Sequence, residues 1–155
     1  AWYPDISPSA GQVAVFAGEA PVQPVTWGGY ACAAPGGVLV GATHVAGEDA
    51  GPEEPAIAGF RAAFGRHFPS LKIGEVVRTW HGVRASTPDR LPVAGALGPR
   101  SFILSGLGSR GFAHAPLLAE HVAALAHGHV SALPGSAAEA FGPARFEIRR
   151  QRRGG

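Results

Sequence analysis

The segment SFILSGLGSRGFAHAPLLAEHVAALAHG, residues 101–128, constrains the fold of this chain more than any other stretch. An apolar run of strand type leads into Gly106-x-Gly108-x-x-Gly111, and a helical pattern follows. Strand, glycines and helix in that order form the local fingerprint of a dinucleotide-binding turn. The start of such a helix carries unpaired N–H groups and the positive end of its dipole, both suited to an electron-rich group. A complete βαβ unit also needs a second parallel strand, with an acid about 20 residues further on. Here HGHVSALPGS follows, with neither a convincing strand nor an acid. The chain is therefore not an autonomous nucleotide-binding domain of that type. The glycine loop is either a tight strand-to-helix turn or one lip of a cofactor site completed elsewhere.

The rest of the chain places this segment in a particular fold class. GQVAVFAG (11–18) reads as a strand ending in a turn. GGYACAAPGGVLVGATH (28–44) reads as a β-hairpin with arms 30–34 and 38–43 and a turn at Pro35-Gly36-Gly37. Residues 53–69 place Ile57, Phe60, Ala63, Phe64 and Phe68 at helical spacing, with acids in the first turn and Pro69 as a stop. Residues 72–87 read as a long strand, bulged at Gly82, and 101–107 as a buried strand. Residues 112–126 read as a helix with Leu117, Leu118, Val122 and Leu125 on one face, ended by Gly128. A short helix is expected within 134–141. Strands thus come in a run, with one helix among them and one after. This predicts an α+β fold with a mostly antiparallel sheet.

Composition narrows the functional class. The chain has 155 residues, 46% hydrophobic and 15% charged, enough to bury a real core. No apolar run is long enough to span a bilayer, and no signal-peptide pattern opens the chain. The single cysteine, Cys32, fits a reducing, cytoplasmic setting. The chain has no methionine and starts abruptly at AWYPDISPSAG, so a fragment of a longer protein is expected. The net charge of +2 is small, but Arg145, Arg149, Arg150, Arg152 and Arg153 crowd the last stretch. That run reads first as a solvated tail and second as a phosphate-binding arm. Seven histidines are present without zinc-type spacing, and no metal site is expected.

Several segments carry a resemblance, in order, along almost the whole chain. LSGLGSRGFAHAPLLAEHVAA resembles the C-terminal flavin-contacting segment of the FAD-dependent D-amino acid, glycine and sarcosine oxidase superfamily. Within that superfamily, the closest pattern is the oxidoreductase half of the bifunctional tRNA 5-methylaminomethyl-2-thiouridine biosynthesis enzymes. These carry a similar ending, matched here by Leu133-Pro134, Ala140, Pro143, Arg145-Phe146 and Arg149. WHGVRASTPDRLPVAGAL (80–97) resembles the same family's strand and turn before the glycine segment, and GQV at Gly11 and GGVLVGATH at Gly36 resemble strands of its substrate domain.

The resemblance implies the C-terminal part of an FAD-dependent oxidoreductase acting on a C–N bond. It implies a substrate-binding sheet domain (1–97), a strand–loop–helix at the FAD site (98–130), and a short helix with an Arg-rich tail (131–155). The family's own nucleotide fingerprint is absent. An N-terminal FAD-binding domain is the missing partner, and the chain alone is expected to be inactive. The substrate implied is 5-carboxymethylaminomethyl-uridine in tRNA, losing its carboxymethyl group, with tRNA contacted through the Arg-rich tail. A free amino-acid or sarcosine-type oxidase, and a non-catalytic RNA-binding or scaffold remnant, remain open. The flavin carries the chemistry, so no side chain of this chain is assigned as catalytic. Arg84 is the implied carboxylate anchor, since a guanidinium binds a carboxylate with two parallel hydrogen bonds. Arg110 and Tyr30 are further candidates for substrate binding. Gly106, Leu107, Gly108, Ser109, Arg110 and Gly111 would face the flavin. Without the resemblance, Arg84 reads as a surface strand residue, Arg110 as a solvated loop residue and Tyr30 as strand packing. Thr87 and Asp89 read as turn-formers before Pro92.

Overall fold

The computed structural model describes residues 5–153. They form two compact units, one of residues 9–83 and one of residues 84–153 together with 5–8. The expected sheet-domain boundary at residue 97 falls inside the second unit.

The first unit is a sheet covered by one helix. Its elements are β1 (Ser7–Gly18), β2 (Val25–Thr26), β3 (Tyr30–Ala34), β4 (Gly37–Gly41), β5 (Val45–Ala46), α1 (Glu53–His67) and β6 (Ile73–Ser86). The strand order is β2-β3-β4-β1-β5, with β6 also paired to β1. β3 and β4 form the expected hairpin, with Tyr30 opposite Gly41 and Ala34 opposite Gly37, and β4 runs antiparallel to β1 from Val13↔Gly41 to Phe16↔Val38. Alternate residues of these strands meet α1. Ala14 and Phe16 of β1, Ala31 of β3 and Val38 and Val40 of β4 close around Phe60 and Phe64 of the helix. Phe60 and Phe64 stand one turn apart on one face, with Ile57 and Phe68 packed at the edge. The acids Glu53 and Glu54 occupy the first turn of α1, and Arg66 and His67 the last. This matches the helix dipole. Trp27 stacks on His67 with ring centroids 4.6 Å apart. Thr43, expected in the second hairpin arm, lies past β4. Its hydroxyl instead accepts the Gln12 N–H at 2.8 Å, while the buried Gln12 amide donates to the Ala50 and Gly51 carbonyls.

The second unit is smaller in its sheet and richer in helix. A two-stranded antiparallel ribbon, β7 (Val93–Gly98) and β8 (Ser101–Ser105), pairs Val93 with Ser105 and Gly98 with Ser101. A 3-10 turn at Gly108–Arg110 leads into α2 (Gly111–His127), followed by α3 (Gly135–Phe141) and α4 (Ala144–Arg153). The core is Ala94, Leu118 and Leu133, with Leu104, Leu107, Val122 and Phe141 packed against it.

Three expectations are revised here. VAGALG forms β7, although two glycines hide it from a strand reading. On α2 the buried residues are Leu118 and His121, while Leu117 is 47% exposed. His121 is accommodated because its Nδ1 pairs with the Ser131 hydroxyl at 2.6 Å. The Arg-rich end is a helix, and both Arg145 and Phe146 are buried. The fold class is α+β with antiparallel pairing, as predicted.

Phe64 is 1% exposed at the centre of the first unit's core. Phe64→Ala is expected to destabilise the protein by about 3–5 kcal/mol, through lost transfer energy and the cavity left behind. Urea denaturation followed by circular dichroism checks this, and a loss under about 1 kcal/mol would show that the core does not depend on this ring.

Candidate functional site at the glycine loop

The glycine loop lies wholly in the second unit, between β8 and α2. Its three glycines are required for different reasons. Gly106 has φ +65°, and a Cβ there would sit 2.5 Å from the Thr87 methyl carbon. Internal packing therefore demands glycine at this position. Gly108 has φ +55°, but its only neighbour is the Ser86 hydroxyl, 3.6 Å from a built Cβ. Its positive φ, rather than crowding, is what favours glycine there. Gly111 begins α2 with the Leu107 side chain 3.3 Å from a built Cβ. Leu107 points into the core and bridges to Ser86 across the chain. Ser109 and Arg110 are exposed at the mouth of the loop.

The start of α2 is open in the electrostatic sense. No side chain caps it, and no acid occupies its first turn. Its first N–H groups and positive dipole end are left for an electron-rich partner. The Arg110 N–H bonds the Leu107 carbonyl at 3.2 Å, which closes the 3-10 turn. The Arg110 carbonyl lies 3.2 Å from His114 Nδ1. Among the described residues, no group of histidine, cysteine or acidic side chains is arranged to hold a metal ion.

Arg84 lies on β6, in the same unit as the loop. Its Nη1 is buried and has no hydrogen-bond partner among the described residues. A buried guanidinium nitrogen without a partner is costly, and a carboxylate is the group that satisfies it best. Tyr30 belongs to the other unit, where its ring packs over Gly41, 3.3 Å from a built Cβ.

Sequence reasoning missed the strongest electrostatic feature of this unit. Asp89, read as a turn-former, does form the turn: it accepts the Leu91 N–H at 3.1 Å and lies 3.0 Å from the Thr87 hydroxyl. It is also the counter-ion of Arg145, whose Nε donates to Asp89 Oδ2 at 2.9 Å and whose Nη2 donates to Oδ1 at 3.2 Å. Arg149 Nη1 bonds the same carboxylate. Burial by itself would raise the Asp89 pKa. Hydrogen bonds from Arg145, Leu91 and Thr87, together with the Arg145 charge, outweigh burial and hold the carboxyl well below the usual range. Of the five arginines read as a tail, Arg145 is therefore buried and Arg149, though exposed, is paired with the same carboxylate. The i, i+4 spacing of Arg145 and Arg149 places them on one helix face, but nothing in the local sequence names a partner 56 residues away.

The sequence pattern of the DAO family, FAD dependent oxidoreductases, matches residues 2–125. The chain belongs to this family. It is 60% identical to the tRNA 5-methylaminomethyl-2-thiouridine biosynthesis bifunctional protein MnmC of Maricaulis maris, over 99% of this chain and 26% of that protein. It is 40% identical to the MnmC protein of a Caulobacter species, over 81% of this chain and 22% of that one. In fold it resembles glycine oxidase from Geobacillus kaustophilus, with a TM-score of 0.71 and 23% identity over 92% of this chain and 40% of that one. It also resembles iminodiacetate oxidase from Chelativorans sp. BNC1, with a TM-score of 0.65 and 22% identity over 91% of this chain and 41% of that one. The chain thus spans about a quarter of the curated relatives' length.

The Asp89 ion pair has a definite pH signature. The folded carboxyl titrates below its unfolded value of about 3.9, so its stabilisation is fully present above that value and is lost as pH falls below it. Asp89→Asn is expected to cost about 3–5 kcal/mol at pH 7, by leaving buried Arg145 without its counter-ion. The gap between variant and wild type should narrow as pH falls from about 5 to about 2. Denaturation at a series of pH values checks this, and a gap independent of pH would show that Asp89 titrates normally.

Proposed function

We propose that this chain is the C-terminal part of an FAD-dependent oxidase that removes the carboxymethyl group of 5-carboxymethylaminomethyl-uridine in tRNA, leaving 5-aminomethyl-uridine. The observation that carries this reading is 60% identity, across nearly the whole chain, to a protein named for tRNA 5-methylaminomethyl-2-thiouridine biosynthesis. Bound FAD would supply the two-electron oxidation of the carbon beside the amine, and water would then release the carboxymethyl fragment as an aldehyde acid. The residues of this chain bind and orient. The open backbone at Gly108, the exposed Ser109 and the uncapped N-terminus of α2 suit the electron-rich edge of a flavin ring. The unpartnered Nη1 of Arg84 suits the substrate carboxylate. Arg110, exposed at the loop's mouth, is a second group for that carboxylate.

The ADP part of FAD would be held by an N-terminal FAD-binding domain, because the chain has no second nucleotide fingerprint. The exposed Phe112 and Leu117 on the first turns of α2 suit the surface that meets it. Acting on tRNA would place the protein in the cytoplasm. No helix among the described residues is long and apolar enough to cross a membrane.

On the RNA side, Arg145 and Arg149 are committed to Asp89, and the exposed Arg150 and Arg152 are the phosphate-binding positions of the C-terminal helix. The side chain of Arg153 lies outside the described residues. Replacing Arg150 and Arg152 by Ser in the complete protein should flatten the salt dependence of tRNA binding, by about 0.7–0.9 in log–log slope for each phosphate no longer neutralised. Filter binding across a salt series checks this, and an unchanged slope removes the helix from the RNA interface.

The central test is Arg84. Arg84→Ala in the complete flavoprotein is expected to lose about 2–5 kcal/mol of substrate or transition-state binding. That corresponds to a fall in kcat/KM of about 30- to several-thousand-fold. Arg84→Lys should recover only part, since an ammonium lacks the planar fork. Bound flavin should stay at the wild-type level. Normal kcat/KM in a flavin-loaded Arg84→Ala enzyme would transfer the anchor role to Arg110. Turnover of free glycine or sarcosine, with none on tRNA carrying the carboxymethyl group, would replace the tRNA reading by that of a free amino-acid oxidase.

A further inference from the structure

We infer that Arg145 is the positioning residue of the 106–111 loop: from the C-terminal helix it fixes the loop's shape through Asp89 and Thr87. This rests on reading the loop as the flavin contact.

The linked groups lie entirely within the second unit. Arg145 is 8% exposed, and all five of its N–H groups are engaged. Nε and Nη2 hold Asp89, and Nη2 also donates to the Leu91 carbonyl at 2.8 Å. Nη1 donates to the Phe141 and Gly142 carbonyls at 2.7 and 3.1 Å. The guanidinium carbon also lies over the Phe146 ring, 4.0 Å from its centroid. A planar cation held on every edge leaves the 87–91 turn no alternative arrangement.

That turn in turn fixes Thr87. The Thr87 hydroxyl lies 2.6 Å from the Leu91 carbonyl oxygen and 3.0 Å from Asp89 Oδ1. With the hydroxyl committed to the turn, the methyl group is aimed at Gly106, where it occupies the space a Cβ would need. Thr87 is 4% exposed, so it has no room to change rotamer. The adjoining pair, Ser86 and Leu107, forms a bridge beside this contact. The first glycine of the loop is therefore located by the rotamer of one threonine, and that rotamer by one arginine about 40 residues along the chain from the loop. The core around Ala94, Leu118 and Leu133 holds β7, β8 and α2 without this clamp. A buried ion pair adds little stability compared with apolar packing, and its attested use is to select one geometry. Its work here is to set the direction of the loop's N–H groups.

Two variants of the complete flavoprotein test this. Arg145→Lys keeps the charge but loses the fork, and Thr87→Ser keeps every hydrogen bond but removes the methyl group that meets Gly106. Thr87→Ser leaves the ion pair intact and serves even if Arg145→Lys folds poorly. Both are expected to speed hydrogen exchange at the 106–111 amides, with the β7–β8 ladder and the middle of α2 unchanged. Both should weaken FAD binding by about 10- to 100-fold, the range that follows removal of a supporting group behind a ligand. Both should also alter the flavin absorption band. Exchange that rises evenly across the unit, or stays at the wild-type level in both variants, overturns the proposal. So does wild-type FAD affinity with an unchanged absorption band. A wild-type complete protein that binds no FAD overturns the flavin reading instead, and loop exchange still decides whether Arg145 holds the loop.

Discussion

A guanidinium cannot shed its charge inside a protein, so burying one commits the surroundings to five acceptors. Arg145 meets that requirement with one carboxylate and three carbonyls, drawn from the 87–91 turn and from the end of α3. The turn before β7, the junction of α3 and α4 and the first glycine of the loop all take their positions from it. Asp89 is shared by two arginines, and the hydrogen bonds it accepts from Arg145, Leu91 and Thr87, with the Arg145 charge, outweigh its burial and hold its pKa down.

The first unit depends on a different device. Its stability comes from alternation on β1 and β4 meeting a helix whose phenylalanines repeat every four residues, and the interior is apolar. The buried polar exception, Gln12, uses its amide to hold the loop at residues 50–51. The second unit has only a two-stranded ribbon and a small core, and relies on directed polar contacts to place its loop.

Local periodicity was enough to read β1, the β3–β4 hairpin, α1, β6, β8 and α2, because each is long or has an unbroken pattern. The absence of a second βαβ half was equally legible, and it excluded an independent nucleotide-binding domain. The order of the resembling segments defined the family and drew attention to Arg84 and to the glycine loop. By contrast, β7 contains two glycines in six residues and acquires strand character only from pairing with β8. The basic run at 145–153 looked like a solvated tail because charge density is a local property, whereas the carboxylate that recruits Arg145 and Arg149 lies 56 and 60 residues away. The glycines looked equivalent in sequence. Only packing shows that Gly106 is required by Thr87, while Gly108 is uncrowded and favoured by its positive φ alone. The sequence by itself determined most of the helices and strands and the family they compose, since those follow from period and order along the chain. The tertiary structure alone decided which charges are structural and which glycine is demanded by packing, since those depend on groups that meet only after the chain has folded.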